Sequence, residues 1–240
     1  MPSPLTVVIS QPMFFPWIGI FEQIRLCDIY VHYDDVQLSR GSFINRVRIH
    51  TDQGNKWMTL PIKWDKEIIN QVEIQDFWQC RKKHLHSLYF NYKKAPFFND
   101  MYALAEEIYQ REYLLLSDFN QYAIEQISQY FGLRPQYFKS SELNISGKSS
   151  ERVLAIVQHF KGSRYVTGHG ALNYLNHDLF EQAGIAVDYM DYRRQSYPQL
   201  GNPFDPHLSI LDLIACMGKE GINIIASDTK SWKEMMNEKQ

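Results

Sequence analysis

Short apolar runs and amphipathic segments alternate at the start of the chain. A β-branched run at 5–10 precedes an amphipathic segment at 17–27, and a second β-branched run follows at 29–33. The apolar positions of the middle segment recur with the helical period, which predicts a helix, whereas the two β-branched runs predict buried strands. The order strand, helix, strand indicates a βαβ unit within a parallel sheet.

The pattern changes after the second strand. Extended runs at 46–50 and 56–62 flank turn-forming residues, so we expect a β-hairpin there. A further extended piece is predicted at 68–74, and Asp76 is expected to cap a helix that follows it. Helical spacing without β-branched runs then predicts a helical insertion over about 77–131.

Alternation of strands and helices returns after the insertion. The predicted elements are strands at 136–140, 164–167 and 185–189 and helices at 149–160, 179–183 and 209–217. A polar, proline-rich loop at 193–206 precedes the last helix. We therefore expect one α/β domain over 1–240, with a Rossmann-like (nucleotidylyltransferase-like) parallel sheet that carries a β-hairpin and a helical insertion.

Composition and charge narrow the class of protein. The 240 residues are 45% hydrophobic, enough for a sizeable core, and the net charge of -2 without a basic block argues against a nucleic-acid partner. The three cysteines, Cys27, Cys80 and Cys216, lack Cys-x-x-Cys spacing, which argues against a cysteine zinc site and favours a reducing compartment. No apolar run approaches the roughly 20 residues that span a bilayer, so we expect a cytoplasmic protein without a membrane span.

Gln11 directly follows the first predicted strand, in a proline-containing turn that also holds Trp17 and Gly19. Ligands of open α/β sheets bind beside the carboxyl ends of the strands. A glutamine at the end of a core strand needs a hydrogen-bond partner, which a ligand or a neighbouring backbone group would supply. The turn is therefore either a ligand loop or a packed aromatic turn.

Asp34 and Asp35 follow the second predicted strand at the same edge of the sheet. Adjacent residues of a strand point to opposite faces, so only one of the two carboxylates can face a shared crevice. That carboxylate could orient a substrate amine or hydroxyl, act as a general base, or help to hold Mg²⁺. The alternative is a turn in which both aspartates bond backbone N–H groups.

Asn45, Arg46 and Arg48 begin the predicted hairpin. Arg46 and Arg48 share one face of an extended segment, a spacing that suits binding of a phosphate or carboxylate. A solvated hairpin face is the alternative for both arginines.

Gly168 and Gly170 flank His169 at the end of the predicted strand 164–167. Glycines on both sides allow a sharp turn that exposes the imidazole, so His169 could act as an acid or base or bond a phosphate. Other histidines show no spacing that suits a shared metal, and we predict no metal ligands.

The late loop supplies a second set of polar groups. Tyr197, Gln199 and His207 could contact a sugar, and they are equally ordinary loop residues. His207 lies just before Ser209 and could instead support the start of the last helix.

One long motif resembles the opening of the WbqC-like family. It is the string Gln-Pro-x-Phe-x-Pro-Trp-x-Gly-x-Phe at 11–21. Weaker matches cover nearly the whole chain: Asp34-Asp35-Val36-Gln37, Asn45-Arg46-x-Arg48-Ile49, Trp57-x-x-x-Pro61, Tyr165-x-x-Gly168, Tyr197-Pro198-Gln199, Phe204-x-Pro206 and Ser209-Ile210-Leu211-Asp212. The family commonly has a histidine before Gln-Pro, where this chain has Ser10.

The resemblance implies a bacterial cytoplasmic protein of surface polysaccharide (O-antigen) biosynthesis. It implies modification of amino sugars, such as transfer of a glycyl group to the amine of a nucleotide-linked amino sugar. The opening layout is also that of nucleotidylyltransferase-like folds, whose members include ligases that adenylate a carboxylate before they form an amide. ATP or an activated amino acid is the donor to consider, with Mg²⁺ left open.

These observations give each residue an expected role. Asp34, Asp35 and His169 are the catalytic candidates, and the substrate-binding candidates are Gln11, Trp17, Gly19, Asn45, Arg46, Arg48, Gly168, Tyr197, Gln199 and His207. The alternatives are a glycosyltransferase or other sugar-nucleotide enzyme, and a non-catalytic sugar-binding or assembly protein of the same pathway. A homo-oligomer is left open.

Overall fold

The computed structural model describes residues 4–39, 41–192 and 194–237. Residue 193, the first of the predicted proline-rich loop, lies outside this part of the chain. The main sheet contains β1 (Thr6–Ser10), β2 (Ile29–His32), β5 (Gln136–Lys139), β6 (Arg164–Thr167), β7 (Ala186–Asp191) and β8 (Asp228–Ser231). A separate hairpin consists of β3 (Arg46–Ile49) and β4 (Lys56–Thr59).

Helices connect and cover the strands. They are α1 (Ile18–Arg25), α2 (Phe77–Tyr92), α3 (Phe98–Ile108), α4 (Leu116–Tyr130), α5 (Ser149–His159), α6 (His177–Gln182), α7 (Ile210–Met217) and α8 (Trp232–Asn237). Helices α2, α3 and α4 follow one another without an intervening strand, in the region where the sequence predicts a helical insertion.

The order of strands in the main sheet is β5-β2-β1-β6-β7-β8. Its strands are parallel apart from β8, which runs antiparallel to β7. From β1 the chain moves outwards to β2 and β5, and then returns to β6 on the other side of β1. The direction of winding reverses between β1 and β6, which makes their carboxyl ends the topological switch point of the sheet.

Both faces of the sheet are covered. Val7 and Ile9 belong to one apolar cluster, with residues of α5, α6 and α8, whereas Val8 belongs to another, with residues of α1, α2, α3, α4 and α7. All three side chains are buried. An uninterrupted apolar run therefore suits this strand, because a parallel strand has no face in contact with water.

The predicted Rossmann-like α/β fold is confirmed. Strands lie at each of the positions where the sequence predicts a strand of the parallel sheet, and the predicted hairpin is β3 and β4. The hydrophobic pattern carried this prediction because short β-branched runs alternate with amphipathic segments.

Three local features differ from the predictions. The extended piece at 68–74 instead contains a 3₁₀ turn at Ile69–Gln71, because Ile69 N–H and Asn70 N–H donate to the loop after β2. Asp76 precedes α2 with a left-handed φ of 45°, and its side chain makes no capping hydrogen bond. Strand β8 was missed because it is a short polar edge strand without an apolar pattern.

Candidate functional site

Residues that directly follow four parallel strands line one cavity of about 630 Å³. Gln11 follows β1, Tyr33 follows β2, Gly168 follows β6 and Tyr192 follows β7. We call it the switch-point cavity, because it lies at the carboxyl ends of β1 and β6. The carboxyl edge of an open α/β sheet at this position is where such folds bind ligands.

The wall of the switch-point cavity combines aromatic rings with hydrogen-bonding groups. The rings come from Trp17, Tyr33, Tyr174 and Tyr192. The polar side chains that line it are Ser10, Gln11, Gln23, Thr167, His169, Arg194 and His207. Aromatic faces stack on flat or sugar-like ligand groups, while a few convergent polar groups fix a ligand's orientation.

The position of His169 is set by one hydrogen bond. His169 begins a 3₁₀ turn just after β6, and its Nε2 lies 2.6 Å from the carbonyl oxygen of Met190. A carbonyl only accepts, so Nε2 must carry the proton. The lone pair of neutral His169 is therefore on Nδ1, which can accept a proton from a bound ligand.

His207 lies against the indole of Trp17, with 5.7 Å between the ring centroids. Burial lowers the pKa of His207, and the positive charges of Arg194 and Arg48 lower it further against the opposing charge of Asp205. His207 is therefore a neutral imidazole at neutral pH. The cavity thus holds two histidines that can each accept a proton.

Arg194 brings positive charge to the cavity from the loop after β7. Among the described residues that line the cavity, it is the one with a permanently charged cationic side chain. Its backbone has a left-handed φ of 47°. A guanidinium group at the mouth of a largely uncharged cavity suits a phosphate or carboxylate of a ligand.

Two glycines make room for the walls of the cavity. A Cβ at Gly19 would lie 2.3 Å from Cη2 of Trp17, so the absence of a side chain lets the indole fold over the start of α1. A Cβ at Gly168 would lie 3.1 Å from Nε2 of Gln23. Gly19 thus positions the Trp17 ring, although it does not itself line the cavity.

Asp34 does not line the cavity and is engaged elsewhere. Its side chain is 2% exposed. It accepts hydrogen bonds from the backbone N–H of Ser141 at 3.0 Å, from Ser141 Oγ at 2.8 Å and from Ser140 Oγ at 3.1 Å. The carboxylate therefore connects the end of β2 to the 3₁₀ turn that follows β5.

Asp35 forms an ion pair with Arg152 of α5. Its Oδ1 lies 2.6 Å from Ser140 Oγ, whose single proton Asp35 shares with Asp34. Burial alone would raise the pKa of Asp35, but the hydrogen bonds from Arg152 and Ser140 and the charge of Arg152 outweigh it and lower the pKa. With both aspartates held by serines and an arginine, their oxygens do not form a free ligand set for Mg²⁺.

The hairpin residues have their own partners. Asn45 Nδ2 donates to the carbonyl oxygen of Leu60 at 3.1 Å, across the base of the hairpin. The guanidinium of Arg46 lies 4.4 Å from the ring centroid of Trp57 and donates to the carbonyl oxygen of Gly41. Neither residue lines the switch-point cavity.

Arg48 and Gln199 line a second cavity of about 530 Å³. Arg48 pairs with Asp205 at 3.0 Å, and Gln199 donates to Tyr197 Oη at 2.9 Å. Tyr197 is buried and donates to Asp212 Oδ2 at 2.9 Å. These predicted substrate-binding residues therefore form a network that holds the loop after β7 against β3 and α7.

The structure thus brings five of the thirteen predicted residues into the switch-point cavity. They are Gln11, Trp17, Gly168, His169 and His207. Sequence reasoning missed Tyr33, Tyr192 and Arg194. The predicted strand 29–33 included Tyr33, and the predicted strand 185–189 ended two residues before the end of β7.

Glu22 is a further buried acid, located on α1 beside the cavity residue Gln23. It is 2% exposed, and its Oε2 has no hydrogen-bond partner within the described part of the chain. Burial raises its pKa to about 8, while the charge of Arg25 opposes this shift. The carboxyl group is therefore largely protonated at neutral pH.

Within residues 4–39, 41–192 and 194–237, no helix has the length and apolarity to cross a membrane. The same residues contain no cluster of three or more histidine, cysteine, aspartate or glutamate side chains arranged to hold a metal ion.

Comparisons with known proteins identify the family of the chain. A sequence profile of the WbqC-like protein family matches residues 11–224. The chain is 30% identical over 218 residues to uncharacterized protein Rv1507c of Mycobacterium tuberculosis (strain ATCC 25618 / H37Rv). The aligned residues cover 89% of this chain and 94% of that protein. No solved structure matches the chain. The chain therefore belongs to the WbqC-like protein family.

Proposed function

We propose that the chain binds a nucleotide-linked amino sugar in the switch-point cavity and transfers an aminoacyl or acyl group, such as glycyl, to the sugar amine. The reaction would serve bacterial surface polysaccharide (O-antigen) biosynthesis, as the family resemblance implies. The observation that carries the proposal is the convergence of residues from the ends of β1, β2, β6 and β7 on one cavity.

The walls of the cavity support a ligand of this class. Aromatic rings such as Trp17 and Tyr192 can pack on a base or sugar ring, and Arg194 can bind a phosphate of the nucleotide. The amides of Gln11 and Gln23 can bond sugar hydroxyls. The volume of about 630 Å³ lies within the usual range of small-molecule sites.

The transfer step requires removal of a proton from the amine. The amine nitrogen attacks the acyl carbon, the new C–N bond forms, and the bond from that carbon to its leaving group breaks. His169 Nδ1 takes the proton, because Nε2 is held by the carbonyl of Met190. The donor would be a preactivated amino acid, or a free amino acid that ATP activates.

Asp34 and Asp35 have a structural role in this proposal. Both carboxylates are outside the switch-point cavity, and each already bonds serine or arginine side chains. His207 is the second acid–base group of the site, since its lowered pKa keeps it neutral and able to accept a proton.

Incubation with a nucleotide-linked amino sugar, glycine and ATP, or with preactivated glycine, tests the proposal. Mass spectrometry should detect the mass gain of a glycyl amide on the sugar nucleotide. His169→Ala should reduce the rate by about 10²- to 10⁴-fold, the usual contribution of a general base. The matched control is His159→Ala, because His159 is an exposed residue at the end of α5 that does not line the cavity.

Three outcomes would contradict the proposal. They are the absence of product across several donors and amino sugars, transfer of the sugar itself, and equal loss of activity in the His159 variant. Saturable sugar binding without turnover would instead favour a binding protein.

A further inference from the structure

The outer face of α2 differs in charge from the rest of the chain. The segment 77–99 contains five basic residues and no aspartate or glutamate, although the whole chain has 25 basic and 27 acidic residues. The basic residues are Arg81, Lys82, Lys83, Lys93 and Lys94. Positive charge is therefore concentrated on one segment of an otherwise slightly acidic protein.

Aromatic side chains project from the same surface. Trp78 is 43% exposed, Tyr89 43% and Phe90 52%. Large aromatic residues of this kind are normally buried, and a group of them on one exposed face marks an interaction site. We call this surface the α2 outer face, defined by the exposed residues Trp78, Lys82, Lys83, His86, Tyr89, Phe90, Lys93 and Lys94.

The periodicity of α2 separates this face from the core. Phe77, Leu85, Leu88 and Tyr92 point inwards and are buried. Because the inner side of α2 packs on the protein core, the helix is already formed in the free protein. The residues of the outer face are therefore exposed without a further folding step. The sixteen residues of α2 give it a length of about 24 Å.

Cations and rings are interleaved on the α2 outer face. Lys93 Nζ lies 5.1 Å from the Phe90 ring centroid and 5.9 Å from that of Tyr89. The His86 and Phe90 rings are 4.3 Å apart, and the Arg81 guanidinium lies 5.7 Å from the Trp78 ring. The Lys93 ammonium group therefore lies beside two of the exposed rings.

We propose that the α2 outer face binds an anionic lipid surface. Tryptophan and tyrosine rings partition to the headgroup level of a bilayer, and lysines next to them are attracted to acidic headgroups. Single-stranded nucleic acid also binds rings and cations, but it does so in a groove that follows its backbone, whereas the outer side of a helix is convex. The protein binds peripherally, consistent with the absence of a spanning helix among the described residues.

Co-sedimentation with vesicles tests the proposal on the full chain. We expect binding to phosphatidylcholine vesicles that contain about a third phosphatidylglycerol, little binding to phosphatidylcholine alone, and loss of binding as salt is raised. Lys93→Glu/Lys94→Glu should weaken the partition coefficient by at least about tenfold, since each cation near the surface contributes about fivefold. Unfolding temperatures measured alongside show that the variants are folded.

A control variant makes the same change of charge elsewhere. Lys148→Glu/Lys161→Glu alters two exposed lysines beside the two ends of α5 and should leave binding within about twofold. The tryptophan emission of the wild type should shift to the blue on vesicles, and Trp78→Phe should remove most of that shift.

Three results would overturn the proposal. They are no binding to acidic vesicles, equal weakening by the two double variants, and binding that the Lys93/Lys94 variant retains. Preferential binding of single-stranded DNA, or self-association abolished by Trp78→Ser/Phe90→Ser, would assign the face to a different partner and would also overturn it.

Discussion

At the scale of the residue, Glu22 is a buried acid whose Oε2 has no hydrogen-bond partner among the described residues. It is buried on α1, and burial raises its pKa from 4.5 to about 8. Burial favours the neutral carboxyl of Glu22 in the folded protein. The stability that Glu22 contributes is therefore fully present below pH 4.5 and is lost as pH rises through about 8. The unfolded chain ionises the same carboxyl at the ordinary pKa.

Replacement of Glu22 by glutamine should therefore stabilise the protein in a pH-dependent way. The amide keeps the shape and remains neutral at every pH. We expect Glu22→Gln to equal the wild type near pH 4.5 and to exceed its free energy of unfolding by about 1–3 kcal/mol near pH 9. Urea unfolding across this pH range measures the difference.

Glu107→Gln is the matched control, because Glu107 is exposed on α3. Its difference from the wild type should stay within about 0.5 kcal/mol at every pH. A gain for Glu22→Gln that does not grow with pH would show that the carboxyl is ionised in the folded protein.

At the scale of the element, hydrogen bonds to the Asp34 carboxylate connect the end of β2 to the turn after β5. The carboxylate accepts from Ser140 Oγ and from both the backbone and the hydroxyl of Ser141. The nearby pair Asp35 and Arg152 adds α5 to the same junction. The strand-end rule located these aspartates correctly at the edge of the sheet, but it could not show that β5 and α5 would supply their partners.

Asp34→Asn tests this structural role. The amide has one acceptor oxygen, so at least one hydrogen bond from a serine is lost inside the protein. We expect the free energy of unfolding to fall by about 1–3 kcal/mol, while the proposed glycyl-transfer rate of the folded protein stays within about threefold. Urea unfolding and the glycyl-transfer assay, run on the same preparation, measure both quantities.

The control for this variant is Asp65→Asn, because Asp65 is exposed in the loop after β4. It should change neither stability nor activity. Loss of activity in Asp34→Asn with unchanged stability would contradict the structural role and return Asp34 to the catalytic candidates.

At the scale of the whole molecule, the fold was more accessible from the sequence than the site. Strand and helix periodicities are local, so they predicted the parallel sheet, the hairpin and the helices between them. Gln11 and His169 were found because both follow strands that meet at one edge. Tyr33 and Tyr192 were missed because the predicted strands 29–33 and 185–189 do not end where β2 and β7 end, at His32 and Asp191.

Residues whose positions depend on distant partners could not be assigned in this way. Arg48 bonds Asp205, 157 positions further along the chain, and this pairing places it in the second cavity. Tyr197 donates a hydrogen bond to the buried carboxylate of Asp212 on α7. Residue type and spacing suggested a binding role for both, whereas long-range packing determined what they contact.

Titration calorimetry tests the central claim that the switch-point cavity holds the nucleotide-linked amino sugar. Arg194→Ala removes the cation of that cavity, whereas Arg46→Ala removes a cation that lies on the Trp57 ring, outside the cavity. Loss of a charged hydrogen bond to a phosphate should raise Kd by about 10- to 100-fold in Arg194→Ala. Arg46→Ala should leave Kd within about threefold, and an Arg194→Ala variant that binds no more weakly than Arg46→Ala would contradict the assignment of the site.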